Sequence, residues 1–325
     1  MKAAVITHPG GPEVLEIQEV PTPEPVGEQV RVRVRASGIN RADLLQRAGG
    51  YPAPAGSPAH IPGLEFSGEV EAVGSLVRMW QPGQRVMGLA GGGAQAEYIL
   101  AHEGLLVEIP ANLDFVQAAA IPEVFMTAHD ALFTQAGLRM GERVLIHAVG
   151  SGVGTAAIQL AKATGATTFG TSRTPAKLEL AGKLGLDCAL PAPDFASAVQ
   201  RLTGEQGVHV VLDFIGAAYL EQNLQALGLW GRMVILATMG GTQGTLPIGL
   251  LMGKRISVKG VTLRTRTLEE KLAVTRSFAS AVLPLLAGGK VRPVIERTYP
   301  LAEIGAAHTA MGANENFGKL VIILD

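Results

Sequence analysis

The chain has 325 residues, 47% of them hydrophobic and 17% charged, with a formal net charge of −1. This length favours two domains over one core, the composition excludes a disordered chain, and the lack of basic excess makes nucleic acid an unlikely partner. A single cysteine, Cys188, excludes an internal disulfide and a cysteine-rich zinc site.

The first residues, Met1-Lys2-Ala3-Ala4-Val5-Ile6, run into Pro9-Gly10-Gly11 without an apolar leader. Gly, Pro or charge interrupts every later apolar stretch. The expectation is a cytoplasmic protein with no membrane span. Val30 to Ala36 reads Val-Arg-Val-Arg-Val-Arg-Ala, the period-two pattern of a half-buried strand. Gly68–Val73, Gln84–Gly88, Glu97–Leu100 and Leu105–Ile109 continue as short strands between turns. Strands at this spacing suggest a small, irregular β-barrel.

Near Pro122 apolar strands begin to alternate with amphipathic helices. Strands are expected at Arg143–Val149, Thr167–Ser172, Val208–Ile215, Arg232–Met239 and Ile256–Val261, with helices at Thr155–Thr164, Lys177–Leu184 and Leu220–Leu227. Repeated β-α-β units imply an α/β domain with a doubly wound parallel sheet of Rossmann type. A long helical pattern covers Leu268–Leu286, and strand character returns at Val291–Tyr299 and Lys319–Leu324. The expected plan is a β-rich domain at 1–121 and 291–325, interrupted by a dinucleotide domain at 122–290.

The strand at Arg143 runs into Gly150-Ser151-Gly152-Val153-Gly154 and then a helix. Small residues there let the backbone approach a pyrophosphate at a helix N-terminus, although a plain tight turn has the same composition. After the second strand, Ser172-Arg173-Thr174-Pro175-Ala176-Lys177 offers no acid for ribose hydroxyls. Ser172, Arg173 and Lys177 suit a 2′-phosphate, which points to NADPH; a solvated basic turn is the bland reading. Phe214 and Gly216, like Met239, Gly240 and Gly241, close later strands at the carboxyl edge of the sheet, where a cofactor would lie.

The stretches Asn40 to Tyr51, Gly63 to Gly68, Ala118 to Glu123, Ser151 to Leu160 and Asn314 to Lys319 resemble the zinc-independent quinone oxidoreductases of the medium-chain dehydrogenase/reductase superfamily. The resemblance covers essentially the whole chain. It implies a GroES-like barrel joined to a Rossmann domain, with the active site in the cleft between them. It implies NADPH-dependent reduction of a quinone, an enone or enoyl thioester being the alternative substrate, and a non-catalytic NADPH-binding, crystallin-like role the third reading. It also implies a homodimer through Rossmann edge strands, with Ile256–Val261 as the candidate edge. Zinc relatives carry a Cys and a His where this chain has Ile39-Asn40 and Leu64, so no metal is expected.

The resemblance places Tyr51 and Asn40 beside nicotinamide and substrate, and turns Thr127 toward the nicotinamide. Each has a structural alternative: a loop aromatic for Tyr51, a helix cap for Asn40, and a backward bond to a carbonyl for Thr127. Leu263 and Arg264 are expected to flank the nicotinamide, and Asn316 to approach it from the other domain. Gln46 is a weaker substrate candidate. Asp43 and Asp213 read as structural acids, and His129 and His147 as packed or surface histidines. Two departures from the family stand out: Ala192 replaces a common Tyr near the adenosine phosphate, and Ser151 replaces a common Gly.

Overall fold

A computed structural model describes residues 1–192 and 194–324. Contacts divide the chain into two units: Met1–Met126 with the chain from Leu263 onward, and Thr127–Thr262. The expected second crossing at 290 therefore lies at 262/263.

The first unit starts with the antiparallel pair β1 (Lys2–Ile6) and β2 (Leu15–Glu19). Then come β3 (Gln29–Ile39), α1 (Arg41–Arg47), β4 (Glu65–Val73), β5 (Arg85–Leu89), β6 (Tyr98–His102), β7 (Leu106–Glu108) and α2 (Phe115–Ala119). Helix α3 (Pro122–His129) follows and runs across the boundary. In β3 the alternation works as expected: Val30, Val32 and Val34 are buried while Arg31, Arg33 and Arg35 are not. Register shifts between Arg31 and Val32 and between Val34 and Ala36 bend this strand. Its last four residues, Ala36 to Ile39, are then all buried.

The second unit is an open parallel sheet. Its strands are β8 (Arg143–Ile146), β9 (Thr167–Ser172), β10 (Cys188–Pro191), β11 (Val208–Asp213), β12 (Leu227–Ile235) and β13 (Ser257–Gly260). Helices α4 (Gly152–Ala163), α5 (Pro175–Lys183), α6 (Phe195–Leu202), α7 (Leu220–Ala226) and α8 (Ile248–Lys254) alternate with them. The order β10-β9-β8-β11-β12-β13 places the reversal of winding beside β8. Strand β12 starts and ends earlier than expected, because beyond Ile235 the chain turns to hydrogen-bond the end of β11. All four residues of edge strand β13 are exposed.

The chain then returns to the first unit through α9 (Leu268–Ala281), α10 (Leu283–Ala287), β14 (Ile295–Pro300), α11 (Ile304–Ala313) and β15 (Lys319–Ile323). The single long helix expected over 268–286 is two helices, because Pro284 has no N–H for the interior of one. Helix α9 packs on β7, and the Leu272 side chain lies over Gly104, which is why this stretch belongs to the first unit. Strand β15 pairs with both β14 and β3, so the C-terminus completes the seven-stranded sheet β14-β15-β3-β4-β5-β7, with β6 also on β3. No helix among the described residues is long and apolar enough to cross a membrane.

Candidate active site

In the second unit, Val144, Leu145 and Ile146 are fully buried, as a central parallel strand requires. The chain leaves this strand through Ala148, whose φ of 47° is unusual for a residue with a Cβ. The Ser151 N–H donates to the Ala148 carbonyl at 2.8 Å. A Cβ on Gly154 would come within 2.5 Å of that same carbonyl oxygen, so only glycine lets α4 begin here. Ser151 is the cap: its Oγ accepts the Gly154 N–H at 3.0 Å. The N–H groups of Gly152 and Val153, in the first turn, have no acceptor within the helix. They and the helix dipole favour an anion, which fits a pyrophosphate.

The basic turn lies against this loop. A Cβ on Gly150 would be 2.7 Å from Cδ of Lys177, so the lysine stem runs across the glycine. Ser172 ends β9 and its Oγ accepts the Thr174 N–H at 3.1 Å, while Arg173 is exposed. Pro191 pairs opposite Ser172, and Ala192 follows with its N–H toward the Ser172 carbonyl. The small residue therefore does stand at this corner. The Tyr219 ring packs on His147 and Phe195, and its phenol, pushed up by burial, is pulled back by the Arg173 charge.

The segments that follow β11 and β12 are hydrogen-bonded to each other. Met239 and Gly240 donate their N–H groups to the carbonyls of Phe214 and Ile215, and Ala217 donates to Gly241. Gly216 has φ of 79°, and a Cβ there would meet the Gly241 carbonyl oxygen at 2.8 Å. Buried Asp213 accepts from the N–H groups of Ile215 and Gly216, so it is a structural acid; burial still pushes it up to about 6. Met239 is exposed, beyond the strand rather than within it.

Thr127 does not bond backward to a carbonyl. Its Oγ1 is buried and has no hydrogen-bond partner. A hydroxyl in that condition is costly unless a ligand or water completes it, so it fits a cofactor contact. His129 packs on Phe133. His147 is buried between Thr171 Oγ1 at 2.8 Å and Asn223 Oδ1 at 2.6 Å, and burial pushes it down to about 4.

In the first unit, Asn40 is the N-cap residue of α1, and its side chain belongs to a buried ionic network. Its Nδ2 donates to Glu65 Oε1 at 3.0 Å, and its Oδ1 accepts from Lys319 Nζ at 2.6 Å. The same ammonium donates to the Ile39 carbonyl at 2.7 Å and pairs with Glu65 Oε1 at 2.6 Å. Glu65 Oε2 accepts the Glu123 backbone N–H at 2.8 Å. Asp43 is also buried, accepting from the N–H groups of Asn40 and Gly63; burial pushes it up to about 6.

Tyr51 is half-buried beneath Arg264, whose guanidinium carbon is 4.9 Å from the ring centroid. Arg264 itself is buried. Its guanidinium binds the carbonyls of Gly91 and Tyr51 and the Gln46 Oε1, all within the first unit. Gln46 donates its Nε2 to Ala59, so it too is engaged internally. A buried guanidinium takes several carbonyl acceptors because each relieves part of its desolvation. Leu263 is half-buried, and Asn316 donates Nδ2 to Gly318 while Oδ1 has no such partner.

Reading the sequence missed Glu65, Glu123 and Lys319 as a functional group, although all three lie in quoted motifs. The available signal was charge in apolar company: Lys319 opens the strand Lys-Leu-Val-Ile-Ile, and Glu123 follows Ala-Ile-Pro. Among the described residues, no cluster of three His, Cys, Asp or Glu side chains is placed to hold a metal ion.

Comparison with known proteins agrees with this architecture. Residues 27–111 match the profile of the alcohol dehydrogenase GroES-like domain, and residues 152–278 that of the zinc-binding dehydrogenase. A quinone oxidoreductase of Lama guanicoe is 34% identical over 331 residues, covering 100% of this chain and 98% of its own. A solved NAD-dependent alcohol dehydrogenase superposes with a TM-score of 0.89 at 34% identity, covering 100% of both chains. The CurK enoyl reductase gives a TM-score of 0.89 at 28% identity, covering 100% of this chain and 99% of its own.

Proposed function

Since this chain belongs to the quinone oxidoreductase family of the medium-chain dehydrogenases/reductases, we propose that it reduces quinones with NADPH and without zinc. It is an oxidoreductase built to hold a nicotinamide dinucleotide. The observation that carries the NADPH reading is the basic, acid-free turn of Ser172, Arg173 and Lys177 lying against the Gly150 loop. Gly150 to Gly154 would hold the pyrophosphate on the α4 N-terminus, and the turn would neutralise a 2′-phosphate. Phe214, Gly216, Met239, Gly240 and Gly241 would border the cofactor. Thr127 would donate to or accept from its nicotinamide amide.

When bound, the reduced nicotinamide supplies hydride. Tyr51 would cover the acceptor and offer a phenolic donor to its oxygen. Arg264 would position Tyr51, and Gln46 would hold Arg264 in place. Asn40 would hold the Lys319–Glu65 pair in place. A quinone accepts hydride readily, so positioning does most of the work and no Lewis acid is needed. Zinc independence is supported by the donor set: Leu64 offers no ligand, and the Lys319 ammonium already occupies Asn40 Oδ1 and Glu65 Oε1.

Loss of dihydronicotinamide absorbance, with NADPH and NADH side by side, tests this against an ortho-quinone, a para-quinone and a simple enone. NADPH-selective quinone turnover is expected. The likeness to an enoyl reductase favours one second reading, enone reduction on the same scaffold, which faster enone turnover would select. The exposed edge strand β13 supports a homodimer by edge pairing; a monomer in light scattering would remove that part.

A further inference from the structure

The ionic network of the first unit contains one carboxyl group too many. Glu65 is fully served: Oε1 takes Lys319 and Asn40, and Oε2 takes the Glu123 N–H. The three donors of Lys319 go to Ile39, Asn40 and Glu65. Arg264 is engaged by Gly91, Tyr51 and Gln46. The Glu123 backbone is held against Glu65, yet its own carboxyl group makes no hydrogen bond or ion pair among the described residues. The residue as a whole keeps some exposure.

We propose that Glu123 is the proton donor of the reduction, giving its carboxylic hydrogen to the substrate oxygen that becomes negative as hydride arrives. This rests on the reading under Proposed function. The balance is simple for a quinone. It receives hydride, two electrons and one hydrogen nucleus, from the reduced nicotinamide. The carbonyl electron pair moves onto oxygen, the O–H bond of Glu123 breaks, and a new O–H forms on the substrate. Hydroquinone and oxidised nicotinamide leave, and the Glu123 carboxylate regains a proton from water. For an enone the same proton goes to the enolate.

Four charged groups act on the Glu123 carboxyl group beside burial. Glu65 and Asp43 favour the protonated form of Glu123, while Lys319 and Arg264 oppose it. Burial is the largest influence and, with Glu65, pushes the group up to about 8. Burial raises the Tyr51 phenol, Arg264 lowers it and the Glu123 charge raises it, so the acid and the residue expected to cover the substrate are electrostatically coupled.

The test has two arms. In the cofactor-free protein, the infrared difference between wild type and Glu123→Gln should show a protonated carboxylic C=O at neutral pH that disappears as pH rises through about 8. An ionised Glu123 at neutral pH overturns the proposal without any turnover measurement. In the full enzyme, Glu123→Gln should lower kcat about 10²-fold and abolish the alkaline fall in rate, with NADPH affinity unchanged by fluorescence titration. Glu123→Asp should restore part of kcat. Wild-type turnover with an unchanged kcat and pH profile in Glu123→Gln sinks the proton donor alone. A wild type that reduces neither quinone nor enone sinks the functional reading, and the proposal with it.

Discussion

The two units prepare for chemistry in opposite ways. The second presents backbone: a glycine-built helix start, two adjoining strand ends and a basic turn on its rim. Two of its buried titratable side chains, His147 and Asp213, are matched by neutral or backbone partners. The first unit instead encloses charge. Lys319, Glu65 and Asp43 are at most 2% exposed, and Arg264 is 7% exposed. Backbone N–H groups can bind an anion without a charged side chain, because a helix start leaves them unpaired by construction. A group that must exchange a proton has to be a titratable side chain, and shifting its pKa takes burial and neighbouring charge. The difference between the units thus follows from the tasks proposed for them.

Breaking the enclosed charge should have the largest effect. Lys319→Met leaves Glu65 buried without its cation and should cost about 3–5 kcal/mol in denaturant unfolding. Lys319→Met with Glu65→Gln should recover much of that loss; no recovery would mean the pair is not the network's centre.

The rim of the second unit comes next. Arg173→Ala with Lys177→Ala should weaken NADPH binding roughly 10–100-fold by calorimetry, on the order of one or two charge-assisted hydrogen bonds. NADH should change little. Equal losses for both cofactors would remove the 2′-phosphate assignment.

Acid should then act on one deeply buried histidine in each unit. His147 in the second unit is held down at about 4 and His308 in the first at about 3. Their unfolded value is 6.5, so the unfolded chain binds more protons below it. The stability they contribute is complete above that value and is lost as pH falls through 4 toward 3. Asp43 and Asp213, both raised to about 6, act in the opposite direction, so the useful quantity is a difference. His147→Gln should flatten the acid slope of unfolding free energy by about 3 kcal/mol in total. An unaltered slope would show that His147 is charged in the fold.

The smallest effect belongs to the helix cap. Ser151→Ala removes the acceptor for the Gly154 N–H and should cost about 1 kcal/mol. Because the freed N–H lies at the proposed pyrophosphate site, NADPH should partly offset that loss in thermal melts.

Much of this was readable from the chain. The alternation in Val30–Ala36, the β-α-β rhythm after Pro122, the Gly150–Gly154 loop and the missing acid after Ser172 are local patterns, fixed by period and by the residue types a turn admits. Strand ends were less legible: β12 stops at Ile235 because the N–H groups of Leu236, Met239 and Gly240 turn to the carbonyls at the end of β11, and no local pattern encodes that. Pro284 broke a helix in a way its position did announce.

What the sequence determined by itself was the order of elements, the family and the glycine-rich strand-to-helix loop, since all of these reside in short contiguous segments. Only the tertiary structure decided that Asn40, Glu65, Glu123 and Lys319 meet, across separations as large as 279 residues, and that Arg264 serves Tyr51. It also left Thr127 Oγ1 without a partner. Burial and pairing are properties of distant segments brought together, and the cost of an enclosed charge exists only once the surrounding water is gone.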